Sequence, residues 1–169
     1  MTHLRRLLVA ALGAVSLVGA AGATVSAHEG GTLVEFDSMT GVAPSVAGTT
    51  NDRGITAGGA PWVITSGTGE VDRKGNVHVE VRGLIIPTLT PPRNPIGAFS
   101  VTVSCITPGG VVNVMTGSAP ATTAGDSTID GTVSLPHPCK SPEVFVVLTR
   151  ANGTFAWFAM SNAEEENED

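Results

Sequence analysis

The sequence predicts an all-β fold: a two-sheet antiparallel sandwich, Greek-key or jelly-roll-like, with one disulfide. Three observations carry that expectation. Ala98 to Ile106 alternates Phe99, Val101, Val103 and Cys105 with Ser100, Thr102 and Ser104, a period of two that gives an apolar face and a hydroxyl face. Gly 21 and Pro 11 among 169 residues punctuate the chain often enough for eight or nine short strands, and no helical period is sustained after Ala27. The 2 cysteines, Cys105 and Cys139, follow what reads as an export leader and so are expected to pair.

Taken in order, Thr32 to Phe36 is a short strand. Asp37 to Ala60 is rich in Gly, Thr and Ala, and is too long for a structureless loop, so a short edge strand is expected near Gly54 to Ala57. Pro61 to Ser66 reads as a strand opened by a proline. Gly69-Glu70-Val71 enters a turn at Asp72 to Asn76. Val77 to Leu84 leaves it with Val77, Val79 and Val81 inward and His78, Glu80 and Arg82 outward. Pro87 to Pro95 holds prolines at 87, 91, 92 and 95 and is a stiff crossover loop.

After Ala98 to Ile106, the turn Thr107-Pro108-Gly109-Gly110 sends Val111 to Thr116 back. Ala119 to Gly125 is a loop. Ser127 to Leu135 alternates, with Ile129, Val133 and Leu135 inward. Pro136 to Pro142 is a proline-braced loop holding Cys139. Glu143 to Arg150 and Thr154 to Met160 are apolar on nearly every residue, so both are expected to be buried on two faces or central in their sheet, joined by an Ala151-Asn152-Gly153 turn. The apolar face of Ala98 to Ile106 is expected to meet these two strands, and its hydroxyl face to be an ordinary sheet surface.

The chain divides into a signal peptide over residues 1–27, one domain over 28–162 and an acidic tail over 163–169. Arg5 and Arg6 precede an apolar run from Leu7 to Ala21, and Val25-Ser26-Ala27 fits a small-x-small cleavage site. Cleavage there makes His28 the first residue and leaves Lys+Arg 7 against Asp+Glu 15, a net charge of −8. An acidic chain without a basic cluster argues against nucleic acid and anionic membrane surfaces. The expectation is a secreted, extracellular protein, with no membrane contact after cleavage and an extracellular or cell-envelope partner.

Candidate chemistry is sparse. His28 would offer an imidazole and a free α-amino nitrogen on one residue, a pair able to chelate Cu(II), with His78 or His137 as the second histidine. No Gly-x-Ser-x-Gly elbow appears, and the carboxylates Glu70 and Glu80 read as the solvent face of a hairpin, so no catalytic residue is assigned. Trp62 and Trp157 lie in apolar surroundings and are expected to pack in the core instead of forming sugar platforms.

The runs Gly54-Ile55-Thr56-Ala57-Gly58-Gly59-Ala60-Pro61-Trp62-Val63-Ile64 and Val79-Glu80-Val81-Arg82-Gly83-Leu84 are accompanied by Asn94-Pro95 ahead of Phe99 to Cys105. With Val112-Asn113-Val114, Val133-Ser134-Leu135-Pro136 and Ala156-Trp157-Phe158-Ala159, the pattern resembles a group of small secreted β-rich proteins of actinobacteria. The resemblance implies secretion and a β-rich domain; it implies no activity and no site residue. The function expected from the sequence is a non-catalytic binding or structural module that uses the loops Asp37–Ala60, Pro87–Pro95 and Pro136–Pro142. A copper-binding protein built on His28 is the alternative; otherwise no cofactor is expected.

Overall fold

A computed structural model of the chain describes residues 31–150 and 153–162. The expected leader, His28, Asn152 and the acidic end at 163–169 lie outside the described residues. The strands are β1 (Thr32–Phe36), β2 (Met39–Gly41), β3 (Thr56–Ala57), β4 (Ser66–Asp72), β5 (Asn76–Arg82), β6 (Ala98–Thr107), β7 (Gly110–Met115), β8 (Ala119–Pro120), β9 (Ser127–Thr132), β10 (Lys140–Thr149) and β11 (Phe155–Ser161).

They form two sheets. The smaller runs β1-β4-β5-β9 and the larger β2-β11-β10-β6-β7, with β3 on β11 and β8 on β6. Every pairing of named strands is antiparallel except β3 with β11. Cys105 and Cys139 are joined, closing a separation of 34 residues and stapling β6 to the loop that leads into β10.

The β4–β5 hairpin shows how local sequence sets register. The Asp72 carboxylate accepts from the backbone N–H of Lys74 at 2.8 Å and of Asn76 at 2.9 Å, and Gly75 takes φ 89 between them. That turn opposes Val71 to Val77, Gly69 to Val79 and Gly67 to Val81. Val77, Val79 and Val81 are buried and His78 and Arg82 are exposed, as the alternation predicts. Gly67 and Gly69 leave room where a Cβ would strike Met39 and Phe36.

The core joins Val71, Val77, Val79, Val81 and Ile129 of the smaller sheet to Phe99, Val101, Val103, Val144 and Val146 of the larger. In β10, Val144 to Val147 are all fully buried, which meets the two-face expectation. The arrangement corrects the expected packing of β6. β10 lies beside it and β11 beyond β10 in the same sheet, so its apolar face meets the smaller sheet instead.

The other face of β6 is a second correction. Ser100, Thr102 and Ser104 are 5%, 0% and 0% exposed, because the chain between β2 and β4 folds back over them. Pro61 to Ser66 is not a strand except at Ser66, the first residue of β4. It keeps one bridge, Val63 to Ile85, and its apolar signal comes from Trp62, buried 4.3 Å from the Phe158 ring centroid. β8 forms within the expected Ala119–Gly125 loop.

Candidate functional site

Of the three loops expected to form a surface, Asp37–Ala60 is largely committed to the fold. Asn51 builds a tight turn. Its side-chain oxygen accepts from the N–H of Arg53 at 3.1 Å and of Ile55 at 2.9 Å, and Gly54 takes φ 72. The turn drives Ile55 into the core and lays Arg53, 5% exposed, over the hydroxyl face of β6. One guanidinium nitrogen, Nη2, donates to Glu143 Oε1 at 2.7 Å and to the Ser141 carbonyl at 2.9 Å. Ser141 sits at φ 43 where the β10–β6 register shifts between Lys140 and Glu143. Asn113 on β7 donates to the Arg53 carbonyl at 2.9 Å.

Beneath this latch, Ser104 is opposed by Asn113 on one side and Glu143 on the other, and Thr102 by Met115 and Phe145. Arg53 Nε and Nη1, Thr102 Oγ1, Ser104 Oγ, Asn113 Oδ1 and Trp157 Nε1 are buried without a hydrogen-bond partner. A polar layer therefore lies on the outer face of the larger sheet, covered by Arg53 and held by its bonds to Glu143, Ser141 and Asn113. Sequence reasoning missed it. The alternation of β6 marks the hydroxyls as a separate face, but Arg53 lies 88 and 90 positions from the residues that bind it. At the Ala98 end of β6 a cavity of about 350 Å³ is lined by Ser100, Met115, Thr116, Leu148 and Thr149.

His78 lies on the solvent face of the smaller sheet. Cross-strand register places it between Glu70 on β4 and Asp130 on β9, with Glu35 beyond Glu70. Its Nδ1 stands 2.6 Å from Asp130 Oδ1 and its Nε2 3.9 Å from Glu80 Oε1. The ring is 47% exposed, so these contacts are solvent-screened surface pairs. A shallow cavity of about 510 Å³ runs over Glu35, Asp37, Thr68, Glu70 and His78.

The expected Pro136–Pro142 loop is cut short, because β10 begins at Lys140; His137 is exposed on what remains of it and lines a cavity of about 200 Å³ with Leu33, Arg73, Leu135 and Cys139. The Gly31 carbonyl accepts from Arg73 N at 3.0 Å, so the described chain begins beside this cavity. Among the described residues, no three His, Cys, Asp or Glu side chains are grouped to hold a metal ion.

The Pro87–Pro95 loop is exposed and yet braced. Asn94, 2% exposed, donates through Nδ2 to the carbonyls of Ile96 at 2.7 Å and Thr122 at 2.9 Å, and accepts from Ile96 N at 2.8 Å. Its own N–H donates to Thr123 O. Ile86 N bonds to Arg93 O, and Arg93 Nη1 reaches the carbonyls of Thr90 and Pro91. Pro87, Thr88 and Thr90 to Arg93 remain exposed.

Both tryptophans are buried, Trp62 against Phe158 and Trp157 against Phe145, so neither offers a stacking platform. Among the described residues no helix is long and apolar enough to cross a membrane. Comparison with protein-family models, with curated protein sequences and with solved structures finds no match.

Proposed function

We propose that the chain is a secreted, non-catalytic binding module, akin to the small actinobacterial secreted proteins its sequence resembles, and that it engages an extracellular or cell-envelope partner through the Pro87–Pro95 loop. One observation carries the reading: the loop is exposed along its tip but fixed at its base by Asn94 and across its neck by the Ile86–Arg93 bond. A segment already held in one conformation loses little entropy on docking, which is what a rigid scaffold with a presented loop supplies. The disulfide agrees with an oxidising compartment.

The test is retention of the immobilised protein on the envelope fraction and culture supernatant of its source cell, against Arg93→Glu. Arg93 is exposed, so the substitution changes the loop's charge and leaves the core alone. Saturable retention that Arg93→Glu lowers about tenfold supports the reading. No saturable retention, or retention indifferent to the substitution, overturns it.

The copper reading, with His28 as the first residue, draws support from one placement. His28 lies three chain steps from Gly31, a reach of roughly 10 Å, and Gly31 is bonded to Arg73 beside His137. That favours His137 over His78, which already faces Asp130. Calorimetric titration with Cu(II), alongside His137→Ala and a mass measurement of the N-terminus, tests it. A mature chain not starting at His28, or titration indifferent to His137→Ala, overturns it.

A further inference from the structure

We propose that the free edge of β7 is a self-association surface, and that two copies of the chain join β7 to β7 antiparallel into one sheet continuous across a two-fold axis. Among the described residues the larger sheet ends at β7, which pairs with no strand other than β6. Thr116 N donates to Val101 O, which makes that pair hydrogen-bonded. Counting back by two makes Val114, Val112 and Gly110 the other residues of β7 whose backbone faces β6. The N–H and C=O groups of Val111, Asn113 and Met115 therefore point away from the sheet.

Sheet edges are normally guarded by charge, proline, a bulge or brevity. The other described edges follow that rule. β1 carries Glu35 and a register shift, β9 carries exposed Asp130, β2 and β3 are three and two residues long, and β8 is two residues long and ends in Pro120. β7, Gly-Val-Val-Asn-Val-Met, has none of these guards. Its side chains Val111 and Met115 are 42% and 37% exposed, and Ile106 beside Val111 is 41% exposed.

The occupant follows from the strand's symmetry. About Asn113, the sequence Val111-Val112-Asn113-Val114-Met115 reads nearly the same in both directions. Antiparallel pairing centred there sets Asn113 against its own copy, Val111 against Met115 and Val112 against Val114. Each outward-pointing residue then meets another outward-pointing residue, for about six backbone hydrogen bonds at two per opposed pair. Apolar side chains meet apolar ones on both faces, and no charge opposes a like charge. The contact is isologous, so it closes at two copies and consumes the edge.

The test is the mass of the purified protein, disulfide intact, by light scattering and sedimentation across a dilution series into the tens of micromolar and above. The expected result is a dimer that dissociates on dilution and tightens with added salt, because both copies are acidic. Val111→Lys and, separately, Met115→Lys put a charge on the edge at exposed positions and are each expected to weaken the dimer by about tenfold or more with an unchanged circular dichroism spectrum. Val63→Lys, at an exposed apolar residue away from β7, is the control and leaves it unchanged. A monomer at all concentrations, an open-ended series of oligomers, or a dimer that withstands both edge substitutions overturns the proposal.

Discussion

Thr102 carries a hydroxyl that is fully buried and bonds to nothing, between Met115 and Phe145. An unmade hydrogen bond at that depth costs on the order of 1–3 kcal/mol, and an apolar group of the same shape removes the cost. Thr102→Val is therefore expected to raise stability by about 1 kcal/mol, read as a higher denaturant midpoint at unchanged slope. A loss of stability would mean that the hydroxyl has a partner such as a buried water.

Arg53 behaves oppositely. Its Nη2 is the sole contact of the guanidinium, and Glu143 and the Ser141 carbonyl depend on it. Arg53→Ala strands a carboxylate that is 28% exposed, so solvent relieves part of the penalty, and the expected loss is about 1–3 kcal/mol. Denaturant unfolding of the two variants side by side separates a tolerated orphan from a required anchor.

At the scale of elements, the β4–β5 turn and the Pro87–Pro95 loop each hang on one residue. Gly75 combines φ 89 with a Val133 carbonyl 2.0 Å from where a Cβ would stand. Gly48 has φ 74 and open space around it. Gly48→Ala is expected to cost about 1 kcal/mol from backbone strain alone. Gly75→Ala is expected to cost at least about twice that, since backbone must also move. Equal midpoints would show that the backbone at Val133, just after β9, yields freely.

Asn94→Ala removes three side-chain bonds at a nearly fully buried position, with an expected loss of about 2–3 kcal/mol and faster proteolysis within Pro87–Arg93. The sequence marks this segment as stiff from its prolines, but the residue that fixes it is an asparagine bonded to Thr122, 28 positions on.

The same distinction explains what the sequence disclosed elsewhere. Strand alternation is local, so β1 and β6 are legible within a residue and β5 within two from their own side chains. What covers a face is decided by distant chain, so the burial of Ser100, Thr102 and Ser104 is not legible there. Pro61 to Ser66 misleads for a related reason: Trp62 is apolar because it fills a core site, and an irregular backbone can deliver a side chain there as well as a strand can.

The whole molecule combines a small aromatic content, Phe 5 and Trp 2 with no tyrosine, with a core in which valine is the commonest residue and which one cystine stiffens. Closing 34 residues should contribute about 3–4 kcal/mol by the loop-entropy estimate. Paired substitution Cys105→Ala and Cys139→Ala is expected to lower stability by that amount in denaturant titration. A change well below 1 kcal/mol would place the stability in the sheets alone. The fold class and the covalent pairing follow from composition and period; the order of strands across two sheets does not, because β6 finds β10 across the intervening β7, β8 and β9.

That crossing gives the cystine a temporal meaning. Read from the N-terminus, all four strands of the smaller sheet have passed by Thr132, whereas β10 and β11, the middle of the larger one, follow Cys139. A chain emerging in that direction can finish one layer before the other has its centre. The Cys105–Cys139 link closes a ring that contains β7, β8 and β9 and ends just ahead of β10. The covalent link thus holds β6 beside the start of β10, and its ring ties the last strand of one layer to the middle of the other.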